Sequence, residues 1–312
     1  MKRWLALVIG ILALAIFIIF INPQELALSF TKADPCIFVW AVFLSFLCIL
    51  LLGLRLQVIF TRIQKSTLAF TDFFKIYISS MLLGHISPAK AGEFVKTYIF
   101  NKKVKTPYSK SIAVVLIEKI SELGALSLLS LILLMFLISM MINLEYYLFS
   151  TVLLLITVVI FVYLLSNKKF LDIIFKLPVA SKIDKNKIAG FQNILKENMK
   201  PKTIAKPFII TMVVQLLSAS RMYVIFLSLG IQTQIIPVLF IFLVTQVIGI
   251  ISMVPGGWGS IEISGTLLYS TLLNIDMLTV TTAMLLLRFS TYIIDIPLGA
   301  ISSYKIKNIS EK

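Results

Sequence analysis

The chain has 312 residues, 59% of them hydrophobic, and a mean hydropathy of +1.00. That composition excludes a soluble globular domain and is typical of a polytopic membrane protein. The formal net charge of +15 would suggest nucleic acid as the partner of a soluble protein. Here, however, lysines and arginines cluster in short loops beside apolar runs and act as topology signals, so no nucleic-acid partner is expected.

Six apolar runs are long enough to cross a bilayer, which takes about 20 residues. They are predicted near residues 4–21, 36–57, 118–140, 147–165, 208–229 and 278–301. Two further runs, 70–86 and 237–253, each stop after 17 residues at a cluster of proline and glycine, and we predict that they are re-entrant. The predicted fold is therefore an all-α polytopic membrane protein with about six full transmembrane helices and two re-entrant broken hairpins.

The distribution of basic residues supports this count. The segments predicted to be cytoplasmic are 58–69, 101–110, 166–206 and 302–312. Lys32 is the only lysine or arginine on the predicted outer side, whereas a full crossing by 70–86 would place the lysines of 101–110 outside. That would oppose the positive-inside bias. We predict a multi-pass protein of a prokaryotic cytoplasmic membrane with both termini in the cytoplasm.

The basic loop 166–206 cannot span a membrane, because ten lysines lie between residues 167 and 206. Apolar residues recur at helical spacing within 188–199. This pattern fits a short amphipathic helix on the inner leaflet, attracted to anionic lipid, or a solvated cytoplasmic loop.

Landmarks in the first half of the chain recur at similar spacing in the second half. Arg55 precedes Pro88 by 33 residues, and Arg221 precedes Pro255 by 34. Gly92 and Gly259 each follow their proline by four residues. We predict one membrane domain, 1–312, made of repeat A (1–140) and repeat B (147–312). Three full crossings per half would invert repeat B, so that the two hairpins meet near the midplane, as in alternating-access transporters.

The two breaks are the first candidate binding elements. They contain Pro88 and Gly92 in repeat A, and Pro255, Gly256, Gly257 and Gly259 in repeat B. These residues interrupt a helix, and backbone opened inside a bilayer persists only where protein or a wet cavity surrounds it. The helix that starts after each break presents free amides that bind anions well, although a plain surface loop would have the same composition.

Charged residues within the apolar runs are the second set of candidates. A buried charge in a membrane is costly without a partner. The candidates are Arg288, Arg221, Lys90, Lys96, Glu118, Glu122, Glu93 and Glu262, with Tyr292 shaping the last helix. The cations would bind a phosphate. The alternatives are structural ion pairs and, for Glu93 and Glu262, carboxylates that complement a helix dipole.

Four motifs resemble the membrane region of lysylphosphatidylglycerol synthases, which is also found alone in flippase-like membrane proteins. They are SPAKAGEFVKTY (87–98), IEKISELG (117–124), VPGGWGSIE (254–262) and RFSTYIIDIPLG (288–299). Lys90, Lys96 and Lys119 stand where that family often has arginine, which keeps the charge but weakens bidentate phosphate binding. No stretch resembles the soluble aminoacyl-transferase domain. The resemblance therefore implies lipid translocation rather than lysine transfer.

The predicted function is a flippase or transporter of an anionic lipid or lipid-linked headgroup by alternating access at a midplane site. A phospholipid, an aminoacyl-phospholipid and a polyprenyl phosphate all fit. The alternative is a membrane-embedded transferase, or an accessory subunit of one, that uses Glu93, Glu118 or Glu262 as acid or base. No nucleophile motif, phosphate loop or metal-ligand spacing is present, so neither cofactor nor metal is expected.

Overall fold

The structure, a computed structural model, describes residues 23–64, 68–85, 87, 92–139, 152 and 201–310. The helices of these ranges are α1 (Pro23–Thr31), α2 (Pro35–Ile63), α3 (Phe70–His85), α4 (Val95–Val104), α5 (Tyr108–Ser139), α6 (Pro201–Ser228), α7 (Ile235–Ile251), α8 (Ser260–Leu273) and α9 (Met277–Ser310). The predicted spans 4–21 and 147–165, and the predicted amphipathic helix within 188–199, lie outside the described residues.

Four of these described helices, α2, α5, α6 and α9, are long and apolar enough to cross a membrane. They confirm as helices the runs predicted at 36–57, 118–140, 208–229 and 278–301. Helix α2 shows how such a helix begins: the Asp34 carboxylate accepts hydrogen bonds from the amides of Cys36 (2.8 Å) and Ile37 (3.3 Å), and Pro35 occupies the first turn. Both features favour a helix start.

Helix α5 begins ten residues earlier than predicted, at Tyr108. The predicted loop 101–110 is therefore largely helical: α4 runs to Val104, Lys105 adopts a left-handed conformation (φ 53°), and α5 starts directly after Pro107. Hydropathy missed this start because the first turn of α5 is polar, whereas a proline just before a helix is a start signal independent of polarity.

The described residues on either side of each predicted break form two separate helices, with a 3₁₀ turn before the second one. Helix α7 ends at Ile251, a 3₁₀ turn covers Pro255–Gly257, and α8 starts at Ser260. In the first half α3 ends at His85 and a 3₁₀ turn at 92–94 leads into α4. A Cβ on Gly256 would lie 2.5 Å from the His85 carbonyl oxygen. The second break therefore packs directly against the end of α3, and only glycine fits there.

Two hydrophobic cores lie around the two pairs of short helices. One contains α3 and α4 packed against the second half of α2 and the first part of α5. The other contains α7 and α8 packed against α6, α9 and the second part of α5. Ile294 and Leu298 of α9 also pack against the first core, so α5 and α9 each contact both.

The helix contacts follow a regular pattern. When α2, α3, α4 and α5 are matched in order with α6, α7, α8 and α9, each contact within the first set has its counterpart within the second. These contacts between the two sets are also paired. Helix α3 packs on α9 and its counterpart α7 packs on α5, while α2 and α6 pack on each other. A two-fold relation between the halves would produce this pattern.

Candidate functional site

A cavity of about 190 Å³ lies between the two breaks. We call it the central cavity. Its charged lining residues come from both halves: Arg55, Glu93, Glu122, Arg221, Glu262 and Arg288. The volume is below the roughly 300–1,000 Å³ of pockets for drug-sized ligands, so it fits a headgroup better than a whole lipid.

The first charged group beside the cavity is a network of salt bridges in the first half. The Glu118 carboxylate accepts from Arg55 (3.1 Å) and Lys96 (2.9 Å), and all three side chains are almost fully buried. Lys96 and Lys119 both reach Glu93, at 3.3 and 3.1 Å, and Lys119 also pairs with Glu122 at 3.0 Å. Among the residues that the structure describes, the network holds three cations and three carboxylates. It joins α2, α4 and α5.

The second charged group is built on Arg288 of α9. Its guanidinium pairs with Glu262 and donates to the carbonyl oxygens of Gly256 (3.1 Å) and Gly257 (3.3 Å). It also donates to the Tyr292 hydroxyl at 2.9 Å and lies 4.5 Å from the centre of the Trp258 ring. Arg288 is thus held by the second break on several sides.

The helix starts that follow the breaks are already capped. Glu262 Oε2 accepts from the amide of Gly259 at 2.7 Å, so this carboxylate satisfies a free donor at the start of α8 as well as pairing with Arg288. In the first break the amide of Gly92 donates to the Ser87 hydroxyl at 2.6 Å. The predicted anion site at each helix start is thus partly occupied by the chain itself.

A histidine–aspartate pair is one of the side-chain contacts that join the two halves. His85 Nε2, at the end of α3, lies 2.9 Å from Asp295 Oδ2 on α9. Asp295 is fully buried and its other oxygen, Oδ1, has no hydrogen-bond partner. The pair therefore joins the end of α3 to α9 at a buried carboxylate.

Arg221 on α6 differs from the cations above. Its Nη1 donates to the hydroxyls of Ser45 (2.6 Å) and Thr291 (2.8 Å), and its Nε has no hydrogen-bond partner. The side chain forms no ion pair with any carboxylate in the part of the chain that the structure describes. It is 9% exposed and lines the central cavity.

The structure brings together most of the residues predicted to form a site. Arg221, Arg288, Glu262, Glu93, Glu122, Tyr292 and Gly256 line the central cavity, and Lys96 and Glu118 lie behind it in the salt-bridge network. Pro255, Gly257 and Gly259 belong to the second break, whereas Pro88 and Lys90 lie outside the described residues.

Sequence reasoning missed the hydroxyls of Ser45 and Thr291, since single serines and threonines are common in apolar helices. Within the described residues no group of three histidine, cysteine or acidic side chains could hold a metal.

The helices and the buried charges define an integral, multi-pass membrane protein. Residues 3–299 match the family described as "Lysylphosphatidylglycerol synthase TM region", and the chain belongs to that family. It is similar to a UPF0104 membrane protein of Methanocaldococcus jannaschii, at 22% identity over all of this chain and 97% of the relative. It is also similar to one from Methanothermobacter thermautotrophicus, at 25% identity over 85% of this chain and 82% of the relative.

Proposed function

We propose that this protein carries an anionic lipid, or a lipid-linked anionic headgroup, across the membrane by exposing the central cavity alternately to either side. The observation that carries the proposal is the cavity itself, which is lined by buried charges from both halves and lies where the two breaks meet. Buried ionisable groups in a membrane protein mark substrate or ion pathways.

The pattern of helix contacts supports an inverted repeat with two re-entrant hairpins. Each half would supply one hairpin, α3 with α4 and α7 with α8, and the exchange of contacts between halves is what such a relation requires. In transporters with inverted repeats, the substrate binds at the repeat interface near the midplane, between broken helices. The central cavity also lies between two breaks, which supports this proposal.

The family name supports the substrate class. It refers to lysylphosphatidylglycerol, an aminoacylated derivative of an anionic phospholipid. We carry over only the general class, a lipid with a phosphate in its headgroup. In this mechanism the headgroup enters the cavity while the acyl chains stay in lipid, which agrees with the small cavity volume.

Arg288 and Glu262 would act as a gate. Their ion pair and the two carbonyl contacts close the second break over the cavity, so a passing headgroup has to compete for the guanidinium. Losing either partner would leave the other charge buried and unpaired, which costs about 3–5 kcal/mol.

The test measures movement of fluorescent phosphatidylglycerol and phosphatidylcholine between the leaflets of vesicles that contain the purified protein. We expect faster transfer of phosphatidylglycerol, and at least tenfold slower transfer in Glu262→Gln and Arg288→Ala. Lys305→Ala is the matched control, because Lys305 is an exposed cation on the same helix. Wild-type protein that transfers neither lipid, with or without an ion gradient, would contradict the proposal.

A further inference from the structure

Among the residues that the structure describes, one cation of the central cavity has no carboxylate partner. Arg55, Lys96, Lys119 and Arg288 each have a carboxylate partner. Arg221 has two hydroxyls instead. A buried charge without a counter-charge is strongly unfavourable, and the hydroxyls satisfy hydrogen bonds without supplying negative charge.

Comparison of the two halves shows what Arg221 lacks. Arg55 and Arg221 lie on the matched helices α2 and α6, and each is held by the last helix of its own half. On α5 that contact is the Glu118 carboxylate, whereas on α9 it is the Thr291 hydroxyl. In the first half the arginine is neutralised by the chain, and in the second half the same position offers a positive charge.

Within the described part of the chain, the carboxylate that attracts Arg221 electrostatically is that of Asp295. Its Oδ2, however, is engaged with His85, and no hydrogen bond joins it to the guanidinium. Arg221 Nε and Asp295 Oδ1 are both buried without partners. Asp295 therefore lowers the cost of burying Arg221 but does not replace a bound anion.

The surroundings of Arg221 suit an oxyanion. Ser218 and Gln215 line the cavity with it, and each can donate hydrogen bonds. Guanidinium groups bind phosphate through charge-assisted hydrogen bonds.

We propose that Arg221 is the primary anion-binding residue of the central cavity, and that it takes a singly charged phosphate such as a phosphodiester headgroup. This inference rests on the proposed function and deepens it, since it separates the binding group from the gate at Arg288. One unmatched cation balances one negative charge, so a lipid with a phosphodiester and no compensating ammonium group is favoured over a zwitterionic one.

The test is equilibrium binding to the purified protein in detergent, which needs no transport. The probes are dihexanoyl phosphatidylglycerol, dihexanoyl phosphatidylcholine and inorganic phosphate, read out as the rise in melting temperature with probe concentration. We expect phosphatidylglycerol to bind well and phosphatidylcholine at least tenfold more weakly. Arg221→Gln should weaken phosphatidylglycerol binding by about 30-fold or more, and Arg221→Lys by less. Arg62→Gln, an exposed arginine of α2, is the matched control.

Two further readouts separate a binding role from a structural one. Without probe, Arg221→Gln should melt close to wild type, because the substitution removes a buried charge without a carboxylate partner but also removes its attraction to the buried Asp295. Thr291→Asp keeps the arginine but places a carboxylate beside it, so it should also weaken phosphatidylglycerol binding. Unchanged phosphatidylglycerol binding in Arg221→Gln, or a large fall in its melting temperature without probe, would overturn the assignment.

The outcomes distinguish this inference from the proposed function. Binding that depends on Arg221, without lipid transfer in vesicles, supports the anion site and contradicts the flippase. Lipid transfer that is unaffected by Arg221→Gln supports the flippase and contradicts the anion site at Arg221. Arg221-dependent binding of inorganic phosphate but not of phosphatidylglycerol would support the site and assign it to a soluble phosphate instead of a headgroup.

Discussion

Glu118 is the residue on which the salt-bridge network of the first half depends. It is fully buried between Arg55 and Lys96, so Glu118→Gln would leave two buried cations competing for weaker partners. We expect a loss of about 3–5 kcal/mol in the free energy of unfolding, measured by denaturation in detergent.

Asp72→Asn is the control for that experiment, because it makes the same change in a partly exposed ion pair with Lys103. Surface pairs contribute about 0–1 kcal/mol, so this variant should be close to wild type. Equal effects of the two substitutions would mean that the network around Glu118 contributes no more than a surface pair.

Sequence predicts the kinds of residue at the site better than their pairing. Arg288 and Asp295 lie seven residues apart on one face of α9, but at 1.5 Å per residue they are about 10.5 Å apart along the axis and do not meet. Their partners, Glu262 and His85, come from other helices. Spacing within a helix gives the face a residue occupies, whereas contacts between distant segments depend on how the helices pack.

Helices and breaks follow more directly from sequence. A long apolar run forces a helix in lipid, so α2, α6 and α9 were predictable, and the cluster Pro255–Gly257 marks the second break because those residues cannot continue a helix. The early start of α5 at Tyr108 was missed because hydropathy does not register a polar first turn.

Helices α2 and α6 lie against each other and, in the proposed repeat, belong to different halves. Cys48 of α2 lies 3.5 Å from the Ser218 hydroxyl of α6, measured from sulfur to oxygen. We predict that Ser218→Cys, in a Cys36→Ser background, forms a disulfide with Cys48 under oxidation. If the halves move against each other, this link should stop lipid transfer and a reductant should restore it.

The background variant with Ser218 intact is the control, since it cannot form this disulfide. Loss of free thiols, measured by labelling after unfolding, reports how much of the protein is linked. Full transfer activity in completely linked protein would exclude any mechanism that requires α2 to move along α6.

The orientation of the whole molecule in the membrane can be tested with a cysteine that the chain already contains. Cys36 is exposed at the start of α2, on the predicted outer side, and Cys48 is buried. A membrane-impermeant maleimide added to spheroplasts should therefore label wild-type protein but not Cys36→Ser. The physical reason is the positive-inside bias, which retains the basic loops in the cytoplasm.

Lys305→Cys in the Cys36→Ser background tests the opposite side of the membrane. Residue 305 is exposed near the end of α9, which we predict to be cytoplasmic, so labelling should appear only after the membrane is permeabilised. If the Lys305→Cys variant were labelled in intact spheroplasts and wild-type protein were not, the predicted orientation would be reversed.

The contacts of Arg288 with the second break have a consequence for how relatives of this chain can diverge. Two of its hydrogen bonds go to the carbonyl oxygens of Gly256 and Gly257, and every amino acid provides a carbonyl. These two bonds therefore depend on the path and length of the main chain and do not depend directly on its side chains. Replacements at the other positions of this segment that keep the backbone path leave both acceptors in place, whereas inserting or deleting a single residue between α7 and α8 displaces both at once.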